Sequence, residues 1–317
     1  MRFRFTTVIA LAATATLGLT ACSSDDSATA DASADTVLIT HAQGETTVPL
    51  NPERVVVFDQ SVLQSMIDLE LPAAVGVPAL SNWPASLEQY KSDGTKKVGS
   101  LFEPDFEAVN ALEPDLIIVA ARSAAKYPEL SEIAPTVDLS VDAENFLTSF
   151  EEQNRNLAKI YGADDAVDAA FASIETAKNA ITAAAANANV RGLILRVEAA
   201  EVTAYGPGSR YGIIHDLGIN PVNENFAKEV AHGDAVSFEY IAQANSDVMF
   251  VQDREAPLGD TTGPNAAPVL NNPLVAGTNA AKNNKIIYLD LYTWYMAPNA
   301  ISSVQQQIEV VGDAVGA

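Results

Sequence analysis

The chain has 317 residues, 48% of them hydrophobic, a single cysteine and a formal net charge of −23. One cysteine excludes an internal disulfide, and so negative a chain excludes nucleic acid as a partner. The apolar content is ample for a globular core split between two units of ordinary domain size.

At the start, Arg2 and Arg4 precede a run of apolar and small residues from Thr6 to Leu19, which closes in Leu19-Thr20-Ala21-Cys22. The run is too short to span a bilayer and reads as a secretion signal over residues 1–21. Phe3 separates the two arginines, so ordinary unfolded export is expected rather than a twin-arginine route. Leu-Thr-Ala-Cys resembles the lipobox of bacterial lipoproteins, which makes Cys22 the expected lipidation site and gives the lone cysteine a use. Residues 23–35 contain only Ser, Asp, Ala and Thr. Such a composition cannot bury enough apolar surface to offset chain ordering, so 22–36 is expected to be a flexible tether. Losing Arg2 and Arg4 with the leader takes the charge from −23 to −25.

Val55-Val56-Val57-Phe58 and Leu116-Ile117-Ile118-Val119 are continuous apolar runs of the kind buried on both faces of a parallel sheet. Asp164 to Ala186 then reads as one long helix. Gly162 is placed to end the helix before it, Asp164 to cap it, and Val167, Phe171, Ile174 and Ile181 recur at helical spacing. Beyond it, Leu193–Leu195, a short strand around Val202 to Tyr205, Val248–Val251 and Ile286–Leu289 alternate with helices such as Ser302 to Val311. The expected fold is α/β: two lobes, 37–163 and 189–317, each with a mainly parallel central sheet, joined by a single long rigid helix over 164–188.

An internal repeat supports that division. Residues 105–122 align without gaps on 237–254, placing Phe106 on Phe238, Glu107 on Glu239, Asp115 on Asp247, Val119 on Val251 and Arg122 on Arg254. Each copy reads as a capped helix, a turn and a buried strand ending in arginine, as two similar lobes would leave.

Ligands on parallel sheets collect at the carboxyl ends of strands, where Arg122 and Arg254 fall. Arg210 lies in the glycine-rich turn Tyr205-Gly206-Pro207-Gly208-Ser209-Arg210-Tyr211-Gly212. Any one of these arginines, taken alone, equally fits an ion pair with a neighbouring carboxylate. The twin positions of two of them favour an anionic ligand held between the lobes. The glycine spacing fits neither the dinucleotide fingerprint nor a P-loop, and no hydrolase elbow or zinc-protease motif appears. No enzymatic activity and no intrinsic cofactor are therefore expected.

His41 precedes the first core strand and His215 sits in an apolar helical stretch, where a structural role is expected. His232 lies in a loop before the helix that starts at Ser237 and is expected to be exposed. Three scattered histidines make a poor zinc or manganese site. His232 with a phenol such as Tyr295 can still complete the shell of an iron already held by a chelator. The Pro/Asn/Gly-rich stretch from Ala256 to Pro273 reads as a loop on the cleft rim.

Taken together, the lipobox, the dividing helix, GPGSRYGIIHDLGINPVNEN, the AHG loop, SFEYIAQANSDVMFVQDR and KIIYLDLYTWYMA resemble the cluster III substrate-binding lipoproteins of ABC importers. The similarity is to the branch that binds ferric catecholate siderophores of the petrobactin and enterobactin type. It extends from about Val37 to the C-terminus and is most specific over 205–254. The resemblance implies small hinge motion, a shallow cleft and a ferric siderophore as cargo. Carried over position by position, it makes Arg122, Arg210 and Arg254 ligand-facing, and His232 and Tyr295 the pair able to ligate the iron of the bound siderophore. It assigns Glu107 and Glu239 to docking on the ABC permease membrane subunits, one per subunit, and anchors the protein by lipid to the extracytoplasmic face of the cell membrane. Ala231 departs from the threonine that close relatives often carry. Haem, a hydroxamate siderophore and cobalamin remain as other cargos, and zinc or manganese binding or adhesion as other classes.

Overall fold

Apolar runs long enough to need burial on both faces set the architecture. The computed structural model describes residues 35–81, 83–226, 232–254 and 265–317, so the leader, Cys22 and nearly all of the tether lie outside the described residues. A hairpin of β1 (Thr36–His41) and β2 (Gly44–Pro49) comes first. The first sheet is built from β3 (Val55–Val57), β4 (Gly76–Val77), β5 (Lys96–Lys97), β6 (Leu116–Val119) and β7 (Thr136–Asp138) in the order β5-β4-β3-β6-β7, parallel throughout. Every residue of β3, β6 and β7 is buried, as crossover connections covering both faces require.

The second sheet takes β8 (Arg191–Glu198), β9 (Glu201–Tyr205), β10 (Asn220–Pro221), β11 (Asp234–Ala235), β12 (Val248–Asp253) and β13 (Ile286–Leu289). Its order is β11-β9-β8-β12-β13, with β10 on the first residues of β8. β8, β12 and β13 run parallel, and β9 is antiparallel to β8. Each lobe thus has the expected mainly parallel sheet.

The helix between the sheets runs Asp164–Ala188, 25 residues or about 37 Å at 1.5 Å each. Gly162 ends the preceding helix in the left-handed region at φ 62°. Asp164 does not cap the long helix: the cap position is Ala163, and Asp164 and Asp165 lie in the first turn, where their charge meets the helix dipole. Val167, Phe171, Ile174 and Ile181 are all buried in one cluster with the C-terminal helix Ile301–Val315. A Cβ at Gly312 would stand 2.9 Å from Ile181 Cδ1, so any larger residue there would make the Ile181 side chain shift.

The repeat is real in three dimensions. Asp105 accepts from the Ala108 amide and Ser237 from the Tyr240 amide, capping Phe106–Ala111 and Phe238–Ala244 respectively. Asp115 then accepts from the Arg54 amide at 3.0 Å, and Asp247 from the Arg191 amide at 3.0 Å. Arg54 donates back to the carbonyl of Leu112 and Arg191 to that of Ala244, the equivalent residue. Each helix end is therefore tied to the neighbouring strand by the same arginine and aspartate exchange.

Polar groups of the first lobe also cap a helix of the second. Ile301–Val315 has no side-chain cap of its own. On the helix Gln60–Asp68, Ser61 accepts from the Asn299 amide at 3.2 Å, Ser65 from the Ile301 amide at 3.3 Å and Asp68 from the Ser302 amide at 2.8 Å. Tyr292 adds a hydrogen bond to Gln64 at 2.9 Å. These groups recur at helical spacing, so one face of one helix closes the seam. Asp68→Ala is expected to lower stability by about 1–2 kcal/mol, the usual cost of a lost cap, and the melting temperature by roughly 2–6 °C. Calorimetry checks this, and an unchanged melting temperature would show that the seam carries no stability.

The stretch expected as a loop from Ala256 to Pro273 is partly helical. Residues 255–264 lie outside the described residues. Ala266–Leu270 forms a helix whose first amide donates to Asp253 at 2.8 Å, and Pro273 opens another, capped by Asn272. His41 sits at the end of β1, bonded to Thr46. His215 donates from Nδ1 to the Ile219 carbonyl at 2.8 Å, the expected structural role, and burial holds its ring below the ordinary histidine value.

Candidate functional site

The site is assembled from loops that leave strand ends in both lobes. After β6, Ala121 takes a left-handed conformation at φ 47°, and its amide donates to Ser140 at 2.8 Å. This strained step turns the next side chain, Arg122, toward the other lobe, where its Nη2 donates to the Tyr295 carbonyl at 3.1 Å. In the second lobe, Tyr205 and Tyr211 meet edge to face at 4.9 Å beneath the glycine-rich turn. A Cβ at Gly212 would lie 2.9 Å from the Ser209 carbonyl oxygen, so the turn closes tightly and leaves Arg210 exposed above it. Arg254 follows directly on β12 and donates its amide to the Val197 carbonyl at 3.0 Å.

These side chains converge on Tyr295, carried by a π-helical turn at Tyr292–Met296 after β13. Such turns widen the helix by one residue and re-aim its side chains. The guanidinium carbons lie 5.3 Å (Arg122), 4.8 Å (Arg210) and 4.8 Å (Arg254) from the Tyr295 ring centroid. A fourth stands at 5.7 Å: Arg196, from the middle of β8. Its side chain is 5% exposed, its Nη1 donates to the Tyr205 hydroxyl at 3.4 Å, and its Nη2 pairs with Glu198. The other oxygen of Glu198 faces Arg254 Nε at 3.8 Å.

Burial of the Tyr295 ring pushes its phenol up, but Arg254, Arg210 and Arg122 together pull harder, and the phenol lies below its ordinary value. Across the opening, Asp59 caps Gln60–Asp68 through the amides of Ser61 and Val62. Burial holds its carboxyl above the ordinary range against those amides and the charge of Arg122. Asp59, Arg122, Arg210, Trp294, Tyr295 and Asn299 are among the residues lining a cavity of about 140 Å³ between the two sheets. An aromatic ring surrounded by guanidiniums can hold an anion with planar aromatic parts.

The structure therefore brings together four of the five residues singled out from the sequence: Arg122, Arg210, Arg254 and Tyr295. His232 is exposed next to the undescribed residues 227–231 and is not among the groups gathered on the Tyr295 ring. Two residues further on, Asp234 pairs with Ala204 in the antiparallel register of β11 and β9. Arg196 was hidden. The strand read as Leu193–Leu195 runs on to Glu198, and the only signal was a charged residue alternating with Leu195 and Val197. Glu107 and Glu239 are both exposed in first helical turns. The Glu239 carboxyl lies below its ordinary range because it accepts from its own amide and the Ser237 hydroxyl.

The family model described as periplasmic binding protein matches residues 55–293. The petrobactin-binding protein YclQ of Bacillus subtilis (strain 168) is 39% identical over 271 residues, which cover 85% of this chain and 84% of that protein. Its crystal structure superposes with a TM-score of 0.83 at 36% identity, over 89% of this chain and 99% of that one. The crystal structure of the periplasmic catecholate-siderophore binding protein VctP from Vibrio cholerae gives 0.82 at 32% identity, over 88% and 100%. The ferric-anguibactin-binding protein FatB of Vibrio anguillarum is 29% identical over 284 residues, covering 86% of this chain and 85% of its own. With the match spanning both sheets and the helix between them, the chain belongs to the periplasmic binding protein family.

Proposed function

We propose that this protein captures an anionic ferric siderophore of the catecholate class outside the cytoplasm and delivers it to an ABC importer. It is a binding protein and not an enzyme, with the ferric complex as cargo. The observation that carries this reading is the gathering of four guanidiniums within 5.7 Å of one phenol ring, in a chain whose net charge is −23. A ferric tris-catecholate carries a charge of about −3, which such a cluster can neutralise while Tyr295 stacks on a catechol face. The similarity to a catecholate-siderophore binder, VctP, to a petrobactin binder, YclQ, and to a ferric-anguibactin binder, FatB, supports a cargo of this kind. Titration with a ferric tris-catecholate, a neutral ferric hydroxamate, haem and free zinc tests it, read by the fluorescence of Trp294, which lines the cavity. Saturable quenching by the catecholate is expected; preference for any other member overturns the assignment.

In this reading Arg122, Arg210 and Arg254 contact the cargo, and Tyr295 and His232 fill iron positions that the chelator leaves open. Hard Fe(III) accepts a phenolate readily and an imidazole less so. His232→Ala and Tyr295→Phe should therefore weaken a tetradentate bis-catecholate complex by roughly 10- to 100-fold and a hexadentate one by less than about threefold. The visible charge-transfer band should shift only for the tetradentate cargo. Equal losses for both, without a spectral change, would reduce the pair to pocket lining.

Residues 1–21 are removed as a signal, Cys22 carries the lipid, and 22–36 tethers the two lobes, 37–163 and 189–317, to the outer face of the cell membrane. Glu107 and Glu239 meet the permease subunits.

A further inference from the structure

We propose that Glu198 sets the charge selectivity of the cleft, acting as a fixed counter-ion that the arginine cluster shares with its cargo. The inference rests on the reading above that the cargo is anionic. Glu198 occupies the last position of β8, two residues after Arg196 and on the same face. One carboxylate oxygen pairs with Arg196 Nη2 and the other faces Arg254 Nε at 3.8 Å. A glutamate kept only to neutralise the buried Arg196 would need one of those contacts. Here both oxygens serve, and the two guanidiniums they reach lie 5.7 Å and 4.8 Å from the same Tyr295 ring. Glu198 is also 46% exposed, so it meets the buried arginine from the solvent side instead of sealing a core.

The turn that follows supports a selected position. Glu198 and Glu201 pair across a two-residue hairpin whose central residues, Ala199 and Ala200, hold φ of 48° and 68°. Asparagine and glycine adopt that turn without strain, and alanine does not. Strain retained beside a cluster of charges marks a place where geometry matters more than local stability.

The consequence is selection by charge. Each carboxylate subtracted from the cluster raises its field at the cargo, and it raises it most for the cargo with the largest negative charge. Glu198 therefore restrains binding of highly charged complexes relative to less charged ones and matches the cleft to one charge state.

The test uses a matched pair of hexadentate ferric complexes on one backbone: a trianion with three catechols, and a dianion with one catechol replaced by a hydroxamate. In Glu198→Gln, the ratio of affinities should move toward the trianion by about fivefold to tenfold at low salt, shrinking as salt screens the site. Glu198→Asp should restore the wild-type ratio. Glu201→Gln, which removes a carboxylate from the same hairpin, should move the ratio much less. Circular dichroism checks that each variant is folded. An unchanged ratio in Glu198→Gln, an equal loss for both complexes, or the same shift in Glu201→Gln would overturn the proposal. Failure of the wild-type protein to bind either complex overturns instead the reading of the cargo on which it rests.

Discussion

Arg254→Glu is expected to lower the affinity for a ferric tris-catecholate about a thousandfold while leaving the fold intact. The wild-type guanidinium sits 4.8 Å from the Tyr295 ring centroid and its side chain is 27% exposed, so the change reaches the cargo without opening a core. A charge-assisted contact contributes roughly 1.5–3 kcal/mol, and reversal adds repulsion from a carboxylate in the same place. That carboxylate would also face Glu198, leaving Arg196 to neutralise both. Arg254→Lys should fall between, because a point charge replaces a planar fork of donors. Arg210→Glu is expected to lose comparable affinity from a different element, the glycine-rich turn on which only Arg210 is exposed. Fluorescence titration gives the affinities and circular dichroism the fold. Wild-type affinity in both charge reversals would remove these arginines from the site.

The second large effect separates capture from delivery. Glu107→Ala/Glu239→Ala should bind cargo as the wild type does yet fail to support uptake in cells or to stimulate ATP hydrolysis by the reconstituted importer. The two glutamates hold equivalent positions in the repeat, each at the second residue of a short capped helix and each exposed. Equivalent points on two similar lobes suit a receptor of two similar subunits. A first-turn glutamate also favours its helix through the dipole, and Glu239 bonds the Ser237 hydroxyl. Helix capping alone, however, predicts a small loss of stability and no loss of transport. Wild-type uptake by the double variant, at equal abundance on the surface, would return both residues to capping.

Much of the fold was legible because burial on both faces writes continuous apolar runs into a sequence. β3, β6 and β12 fall where Val55, Leu116 and Val248 begin such runs, β13 keeps an apolar run from Ile286 although it is an edge strand with Tyr288 exposed, and the long helix follows the spacing of Val167, Phe171, Ile174 and Ile181. The repeat was legible because each lobe needs the same cap, turn and strand to present an arginine. The tie between Asp115 and Arg54, mirrored by Asp247 and Arg191, was not, because its partners are far apart in the chain. The same distance hid the seam, where Ser61, Ser65 and Asp68 cap a helix more than 230 residues later. Arg196 escaped because a charge inside an apolar strand marks the end of that strand unless its counter-ion is known. Ala266–Leu270 escaped because its first amide is satisfied by Asp253, across residues that read only as loop.

A crystal structure with a ferric tris-catecholate, locating the iron by its anomalous scattering, decides where the cargo sits. One strong peak is expected in the cleft between the two sheets, with catechol oxygens on Arg122, Arg210 and Arg254 and a ring against Tyr295. A peak elsewhere, such as the apolar outer hollow of the second lobe beside Tyr288 and Leu270, with the arginine cluster left empty, would contradict it.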